Sequence, residues 1–300
     1  MNITKYEKRF LLIPVVLAAL ALFSIFFWGF RPGIDLAGGS LLQVSYPEGR
    51  PPVEQVRALT AKLGLGEVRV QPTDEDAYIL RQRDLSVEEK RNLEAVLGGL
   101  GAVREDQYTS IGPTIGSELL KKAYLAVAAV IICIVLFIAF AFRKVSEPVS
   151  SWKYGVVAIV TLLFDALVPI GAYAYLGHFT GAEVDTLFIV ALLAILGISI
   201  NDKIVVFDRI RENLRLNAER HRREAFGEVV DRSITQTLAR SINTSLTVVI
   251  VLLALYFFGP ASTKAFALTL TVGMLVGTYS SIFFASPLLL MWERFSRPKK

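Results

Sequence analysis

The amino-acid sequence has few histidines and a single cysteine. That cysteine, Cys133, has no partner within the chain, which excludes an internal disulfide bond. The two histidines, His178 and His221, both lie in predicted loops, so neither is predicted to carry protons inside a membrane. A proton path through the membrane would therefore have to use other side chains.

Apolar residues are plentiful instead. Of the 300 residues, 53% are hydrophobic and 20% are charged, and the mean hydropathy is +0.51. The apolar fraction exceeds the average for soluble proteins, while the charged fraction stays substantial. This mixture predicts membrane spans together with one water-soluble domain. The net charge of +5 is compatible with nucleic-acid binding, but basic cytoplasmic loops give the same charge. We favour basic cytoplasmic loops, with no nucleic-acid partner.

Six apolar segments have the length of a membrane-spanning helix. They cover residues 10–30, 123–142, 154–175, 186–207, 241–258 and 265–291. Basic residues precede the first span and cluster in the segments 143–153 and 208–237 and in the C-terminal tail, which indicates that these regions and both termini are cytoplasmic. The first span is too long for the core of a signal peptide and is predicted to be retained. In the sixth span, Gly273 and Gly277 form a GxxxG pattern that predicts close helix packing.

Residues 31–120 are predicted to form an extracytoplasmic domain between the first span (1–30) and a bundle of five spans (121–300). Predicted strands cover 40–47, 66–73, 77–83 and 102–110, and predicted helices cover 51–64 and 86–100. Ser86, with Glu89 three residues later, is typical of a helix capping box. The order β-α-β-β-α-β is that of the α+β ferredoxin-like fold. The domain lacks His, Cys and a glycine-rich phosphate loop, which favours a docking role over a catalytic one.

Two glycine-rich segments flank this domain, GIDLAGGS at 33–40 and IGPTIGSELL at 111–120. Each can be a simple turn that needs special backbone angles. Their position, where the chain leaves and re-enters the membrane, favours a hinge that couples the membrane helices to the domain. The predicted hinge residues are Gly33, Asp35, Gly38, Gly39, Gly112, Pro113, Gly116 and Glu118.

The stretch GISINDKIVVFDRIREN, at 197–213, places ionisable residues inside the fourth predicted span. At about 1.5 Å per residue, 186–207 covers about 30 Å, the thickness of the hydrocarbon core. Asp202 lies within that length. A carboxylate there is disfavoured by at least ~2.5 kcal/mol and usually faces a bundle interior or an ion path. Asp202 is therefore the first candidate for a proton-binding residue.

Other polar residues are predicted near Asp202. Arg240 begins the fifth span, which runs opposite to the fourth, so the side chains of Asp202 and Arg240 are both expected in the cytoplasmic half of the membrane, where they can meet. Asn201 and Asn243 add polar atoms that can hold water, and Asp165 supplies a second acid in the third span. Two interpretations stay open. These residues form a proton path, or an Asp–Arg ion pair only holds two helices together while basic side chains extend to the lipid headgroups.

Four motifs resemble those of the SecF branch of the SecD/SecF family, a part of the RND superfamily. They are GIDLAGGS after the first span, IGPTIGSEL before the second, SINDKIVVFDRIREN in the fourth and TQTLARSINTS entering the fifth. The resemblance implies a multi-pass protein of the bacterial inner membrane whose six spans pair with those of SecD. It also places the essential intramembrane acid of the family on Asp202, its arginine on Arg240 and the acid of the third span on Asp165.

The resemblance further implies a function in protein export. The subunit would act with SecD and use the proton-motive force to assist late-stage preprotein translocation, with protons as the coupling ion, no other cofactor and no hydrolytic activity. The implied partners are SecD, the SecYEG translocon, SecA, YajC, the unfolded preprotein and membrane lipid. A passive translocon scaffold and another RND-type proton-coupled transporter subunit are the alternatives. A scaffold would tolerate neutral substitutions at Asp202 and Arg240.

One residue departs from the family pattern. After the Asn-Asp pair the family usually has a small residue such as Thr, whereas this chain has Lys203. Adjacent residues of a helix do not face each other, so Lys203 need not neutralise Asp202. An intramembrane aspartyl protease would need two facing acids, which Asp165 and Asp202 could supply. The Gly-x-Gly-Asp context of that class is absent from the sequence.

Overall fold

The computed structural model describes residues 7–73, 76–141, 150–222 and 224–296. The end of the second predicted span at 142, the predicted loop residues 143–149 and the tail 297–300 lie outside the described residues. Within them the chain is mostly helical. Six helical stretches are long and apolar enough to cross a membrane, and four antiparallel strands form one sheet. The predicted fold class, a six-span helical membrane protein with a small α+β domain, is confirmed.

Ten helices and four strands follow one another in the described part of the chain. In order they are α1 (Glu7–Trp28), α2 (Ile34–Ala37), β1 (Gly39–Ser45), α3 (Val53–Ala61), β2 (Arg69–Thr73), β3 (Ala77–Gln82), α4 (Val87–Gly98), β4 (Arg104–Ile111), α5 (Pro113–Ala141), α6 (Ser151–Thr180), α7 (Thr186–Glu219), α8 (Phe226–Phe258), α9 (Ala261–Phe283) and α10 (Ala285–Ser296).

The described residues divide into two compact units. The helical unit consists of the described residues within Met1–Gly29, Val127–Phe179 and Phe188–Lys300, and the α/β unit consists of those within Phe30–Ala126 and Thr180–Leu187. The α/β unit therefore contains a second, short stretch of chain that lies in sequence between α6 and the body of α7. That stretch carries several of the contacts described below.

The α/β unit has the predicted order of strands and helices. Its sheet order is β2-β3-β1-β4 with every pair antiparallel. Leu42 of β1 lies opposite Leu80 of β3, and both side chains are fully buried. Other buried residues of the same core are Val44, Tyr46, Val56, Leu93 and Leu97. The predicted capping box is present at the start of α4: Ser86 Oγ accepts the Glu89 N–H at 3.3 Å, and the Glu89 carboxylate accepts the Ser86 N–H at 2.9 Å.

The membrane helices extend beyond the predicted spans. Helix α5 begins at Pro113, ten residues before the predicted start, because proline suits the first position of a helix, where its missing N–H is not needed. Helix α7 continues to Glu219 and α8 begins at Phe226, so most of the basic segment 208–237 is helical.

Side-chain hydrogen bonds hold the extensions of α7 and α8 together. The Asn213 side-chain amide donates to Ser233 Oγ and to Gln236 Oε1, each at 2.8 Å. A separate hydrogen bond lies at the start of α8 alone, where the Glu228 carboxylate accepts the Ala225 N–H at 3.3 Å. Hydropathy counts these residues as polar, so a prediction of apolar spans ends before them, although the Asn213 amide finds acceptors on α8.

The sixth predicted span consists of two helices, α9 and α10, with a break at Phe284. A Cβ added at Gly273 would lie 2.3 Å from the Ile195 side chain, and one added at Gly277 would lie 3.1 Å from Ser199 Oγ. The predicted close packing at the GxxxG pattern is therefore confirmed. It brings α9 against the face of α7 that carries Ser199.

The prediction of a loop at His178 is wrong. Helix α6 continues to Thr180, and the residue after it, Gly181, has a φ of +73°. A helix commonly ends at a glycine in this conformation, and α6 accordingly ends just before Gly181. The His178 ring stacks on Trp28 of α1, with ring centroids 5.4 Å apart. His221 lies in a turn.

Candidate functional site

A buried ion pair joins α6 to α7 in the helical unit. Lys203 Nζ donates to the Asp165 carboxylate and, at 2.7 Å, to Ser199 Oγ. The Ser199 hydroxyl donates to the same Asp165 oxygen. Asp165 and Lys203 side chains are both 0% exposed. Ser199 and Lys203 are four residues apart and therefore share one face of α7, which directs both groups to the same carboxylate.

The surroundings of this cluster are apolar. Helices α6 and α7 contribute buried residues to one hydrophobic core, including Leu162, Leu196, Ile200 and Val206. Desolvation of a buried ion pair is costly, and the mutual attraction and added hydrogen bonds of the pair offset it. Among the described residues, the second oxygen of Asp165, Oδ1, has no hydrogen-bond partner. Loss of either charge would leave the other uncompensated in this core.

Asp202 lies beside this pair in sequence but has different surroundings. It is only 7% exposed, and no basic group in the described part of the chain forms an ion pair with its carboxylate within 4.0 Å. Lys203 and Arg240 both lie within electrostatic range of it. Lys203 is engaged by Asp165. Among the described residues Arg240 forms no ion pair or hydrogen bond with Asp202, so the structure shows the two groups within electrostatic range but does not show the expected contact. Asp202 is thus a nearly buried acid without a fixed counter-ion.

Arg240 belongs to a polar, exposed face of α8. Arg240, Asn243, Thr244 and Thr247 are all exposed, and their spacing of three and four residues places them on one side of the helix. Asn201 of α7 is exposed as well. Both helices are apolar enough to span a membrane, where polar side chains avoid lipid and face protein or water. This face of the helical unit is therefore suited to contact with another protein or with water.

The two glycine-rich segments pack against each other in the α/β unit. An added Cβ at Gly38 would lie 2.8 Å from Pro113 Cα, and one at Gly116 would lie 2.6 Å from the Gly38 nitrogen. A Cβ at Gly39 would lie 2.5 Å from the Gln82 carbonyl oxygen. Gly38 also has a φ of +81°, in the region that favours glycine. Close backbone contact explains these glycines, and their action as a hinge stays a prediction.

The remaining predicted hinge residues have different environments. Gly33 donates its N–H to the Val184 carbonyl at 2.8 Å, whereas Gly112 has open space where a Cβ would be. Glu118 forms an ion pair with Lys122 at 2.8 Å on the exposed surface of α5. Asp35 accepts hydrogen bonds from Thr186, the first residue of α7. Of these residues, Gly33 and Asp35 contact the short stretch 180–187.

Sequence reasoning missed several contacts of these charged residues. It named Asp165 and Lys203 separately but did not pair them. The spacing of Ser199 and Lys203 was the available signal, because it puts a hydroxyl and an ammonium on the same helix face. The nearly buried Glu183, which pairs with Arg69 at 2.8 Å, was also missed, since no local pattern links residues so far apart in the chain.

Models of protein families match this chain over most of its length. The model described as "Protein export membrane protein SecD/SecF, C-terminal" matches residues 93–295, and the "SecD/SecF GG Motif" model matches residues 23–46. The second match covers the first glycine-rich segment, and the first covers the second segment together with the polar residues of α6, α7 and α8.

Similar proteins agree with these family matches. The chain is 40% identical to a protein translocase subunit SecF of Thermobaculum terrenum, over 97% of this chain and 94% of the relative. It is 36% identical to the subunit SecF of Synechocystis, over 100% of this chain and 96% of the relative. These two relatives therefore have about the same number of residues as this chain.

A solved structure is similar as well. The crystal structure of SecDF from Thermus thermophilus, a translocon-associated membrane protein, superposes with a TM-score of 0.84 and is 34% identical. The match covers 98% of this chain and 39% of the SecDF chain, so this chain spans about two fifths of that protein. SecDF in a super-membrane-facing form superposes with a TM-score of 0.68.

Proposed function

The chain belongs to the SecD/SecF family of protein export membrane proteins, and we propose that it is a Sec translocase subunit that couples proton entry at Asp202 to preprotein export. As a member of this family with six membrane-spanning stretches, it is a multi-pass protein of the bacterial inner membrane. Its role is accessory to Sec protein translocation. In this proposal it acts as a transport subunit, without hydrolytic activity.

The observation that carries the proposal is the contrast between the two buried acids. Asp165 is neutralised by a direct bond to Lys203, whereas none of the described basic residues forms an ion pair with Asp202. An opposite charge in contact with a carboxylate favours its charged form, so a buried carboxylate without such a partner takes up a proton more readily. Asp202 is therefore the proposed proton-binding residue, and the Asp165–Lys203 pair is the proposed link between α6 and α7.

The available energy is sufficient for such a switch. One elementary charge that crosses 100 mV of membrane potential releases about 2.3 kcal/mol. That free energy shifts a two-state equilibrium by more than tenfold, provided that the two states differ in their affinity for the proton. Protonation of Asp202 removes its attraction for Arg240, so the two states are proposed to differ in the arrangement of α7 and α8. The Asp165–Lys203 pair holds α6 and α7 together in both states.

SecD is the proposed partner of the exposed polar face of α8. This chain corresponds to about two fifths of SecDF, and the relatives named SecF are of similar size to this chain. Arg240, Asn243, Thr244 and Thr247 would be unfavourable against lipid, which supports a protein or water on that face. We therefore propose a proton path shared between this chain and SecD. SecYEG, SecA, YajC and the preprotein are the further partners that the family assignment suggests.

The proposed orientation follows the distribution of basic residues. The segment 208–237 and the termini would be cytoplasmic, and residues 31–120 would be extracytoplasmic, where the α/β unit could act on the emerging preprotein. A protease with Asp165 and Asp202 as its acids is disfavoured, because Asp165 is bound to Lys203 and cannot share a proton with a second carboxylate.

Membrane vesicles that contain this chain with SecD and the translocon test the proposal. Proton flux and preprotein translocation driven by the proton-motive force are compared between the wild type and Asp202→Asn. Asp208→Asn is the matched control, because it makes the same change on the same helix at a side chain that is 69% exposed. We expect Asp202→Asn to abolish both activities and Asp208→Asn to retain them. Unaltered flux and translocation in Asp202→Asn would leave only the passive scaffold.

A further inference from the structure

The first turn of α7 is bonded to the first glycine-rich segment. Asp35 Oδ2 accepts a hydrogen bond from Thr186 Oγ1 at 2.6 Å and from the Thr186 backbone N–H at 3.3 Å. The first four N–H groups of a helix lack partners within the helix. A carboxylate there supplies an acceptor and also interacts favourably with the positive end of the helix dipole. Asp35 therefore acts as a cap for α7 from a distant part of the sequence.

A short parallel bridge places Asp35 next to Thr186. Gly33 donates its N–H to the Val184 carbonyl and Val184 donates its N–H to the Arg31 carbonyl, each at 2.8 Å. A Cβ at Gly33 would lie 3.2 Å from the Val184 oxygen, so a larger residue would push the two segments apart. The glycine at this position thus fixes the distance across which Asp35 reaches Thr186.

The sheet holds the other side of the same stretch. Glu183 is nearly buried and pairs with Arg69 of β2 at 2.8 Å and with Arg81 of β3 at 3.5 Å. The Gln71 side-chain amide donates to the Thr180 carbonyl at 2.7 Å. We call residues 180–186 the tether segment. Side chains of β2 and β3 bind one part of it, and the glycine-rich segment that carries Asp35 binds the other.

We propose that Asp35 is a positioning residue that fixes the start of α7, the helix that carries Asp202, to the α/β unit. This inference rests on the proposed function, because the proposed protonation of Asp202 is what moves α7. A displacement of α7 that begins at Asp202 would reach the sheet through Thr186, Asp35 and the tether segment. The glycine-rich segment would then transmit motion by its hydrogen bonds to α7, and flexibility of its glycines would not be required.

The test separates proton flow from work on the preprotein. In the vesicles described above, Asp35→Ala and Thr186→Val each remove the hydroxyl–carboxylate bond, from opposite sides. We expect both variants to keep the wild-type proton flux while the stimulation of translocation falls about fivefold, the change in equilibrium constant that a lost helix cap produces. Thr186→Ser keeps the hydroxyl and should retain the stimulation. Glu54→Ala, an exposed acid of α3 that pairs with Arg57, is the control for charge.

Amide hydrogen exchange gives a second readout on the same proteins. Exchange in the first turn of α7 should become about fivefold faster in Asp35→Ala and in Thr186→Val, and unchanged in Thr186→Ser. Unchanged exchange, unchanged stimulation, or a joint loss of flux and stimulation would overturn the assignment of Asp35. The effect of Asp202→Asn is measured separately, so failure of the proposed function appears in that variant and failure of this inference appears in the Asp35 and Thr186 variants.

Discussion

Lys203 bonds to Asp165 on the neighbouring helix, and Asp202, its neighbour in sequence, forms no ion pair with any residue that the structure describes. Successive residues of an α-helix point about 100° apart, so the ammonium and the adjacent carboxylate leave α7 in different directions. Ser199, one turn earlier, completes the bonding of Lys203. The positive charge of Lys203 therefore compensates Asp165, and Asp202 stays the proposed proton-binding residue.

Removing one charge of the Asp165–Lys203 pair should destabilise the protein strongly, whereas removing both charges should have a much smaller effect. Lys203→Met leaves the Asp165 carboxylate alone in an apolar core, and the free energy of unfolding should fall by about 3–5 kcal/mol. The double variant with Asp165→Leu removes both charges and should regain most of that loss. Unfolding of the purified protein in detergent, followed by denaturant titration, measures the three values.

The exposed pair of Lys122 and Glu118 provides the control for the buried one. Lys122→Met should change the free energy of unfolding by less than about 1 kcal/mol, because water solvates both charges. If the double variant at Asp165 and Lys203 is as unstable as the sum of its single variants, the two side chains do not compensate each other.

Two glycines of the second glycine-rich segment should respond oppositely to alanine. At Gly116 the new Cβ would lie 2.6 Å from the Gly38 nitrogen, a backbone atom that cannot move aside, and overpacking of this kind costs about 1–3 kcal/mol. At Gly112 nothing lies within 4 Å of that position and φ is not positive, so alanine should be neutral or slightly stabilising. Thermal unfolding of Gly116→Ala and Gly112→Ala gives the comparison. Equal melting temperatures would contradict the close contact.

Loss of the Glu183 carboxylate should loosen the tether segment and leave the sheet intact. Glu183→Gln removes a charge that accepts a hydrogen bond from Arg69 and forms an ion pair with Arg81, and a charge-assisted hydrogen bond contributes about 1.5–3 kcal/mol. Amide exchange should therefore accelerate in 180–186 and stay slow in β1, whose hydrogen bonds do not involve Glu183. Equal acceleration throughout the α/β unit would indicate instead that Glu183 supports the whole sheet.

The start of α4 should depend on pH through Glu89. The hydrogen bond from Arg83, with a further one from the Ser86 N–H, lowers the pKa of Glu89 to about 2 from its ordinary 4.5. A lowered pKa means that the contribution of Glu89 to stability is complete above pH 4.5 and is lost as the pH falls towards about 2. Carbon-13 NMR titration of the glutamate carboxyl groups measures this pKa.

Arg83→Leu is the diagnostic variant for that titration. It removes the largest cause of the shift, so the pKa of Glu89 should rise towards 4.5 while the Ser86 N–H still holds part of the effect. An unchanged pKa in Arg83→Leu would show that the capping box alone sets the protonation of Glu89.

Much of the architecture could be predicted because its signals are local. The apolar run 77–80 at the start of the predicted strand and the Ser86–Glu89 spacing reflect contacts within a few residues, and the strand and the capping box are both present. Spans were recognised by length and hydropathy but ended too early at 208, because amides such as Asn213 are polar in any scale. Their hydrogen bonds to Ser233 arise only when α7 and α8 are side by side.

Local sequence patterns are sufficient to predict that this chain spans a membrane six times, carries a β-α-β-β-α-β domain, and has an acid, Asp202, inside an apolar helix. These properties follow from periodicity and hydropathy, which each short stretch of chain carries on its own. Only the tertiary structure decided that Lys203 pairs with Asp165 and that Asp35 caps α7. A counter-ion or cap is chosen by distance and direction in space, and the partners here come from elements far apart in the chain.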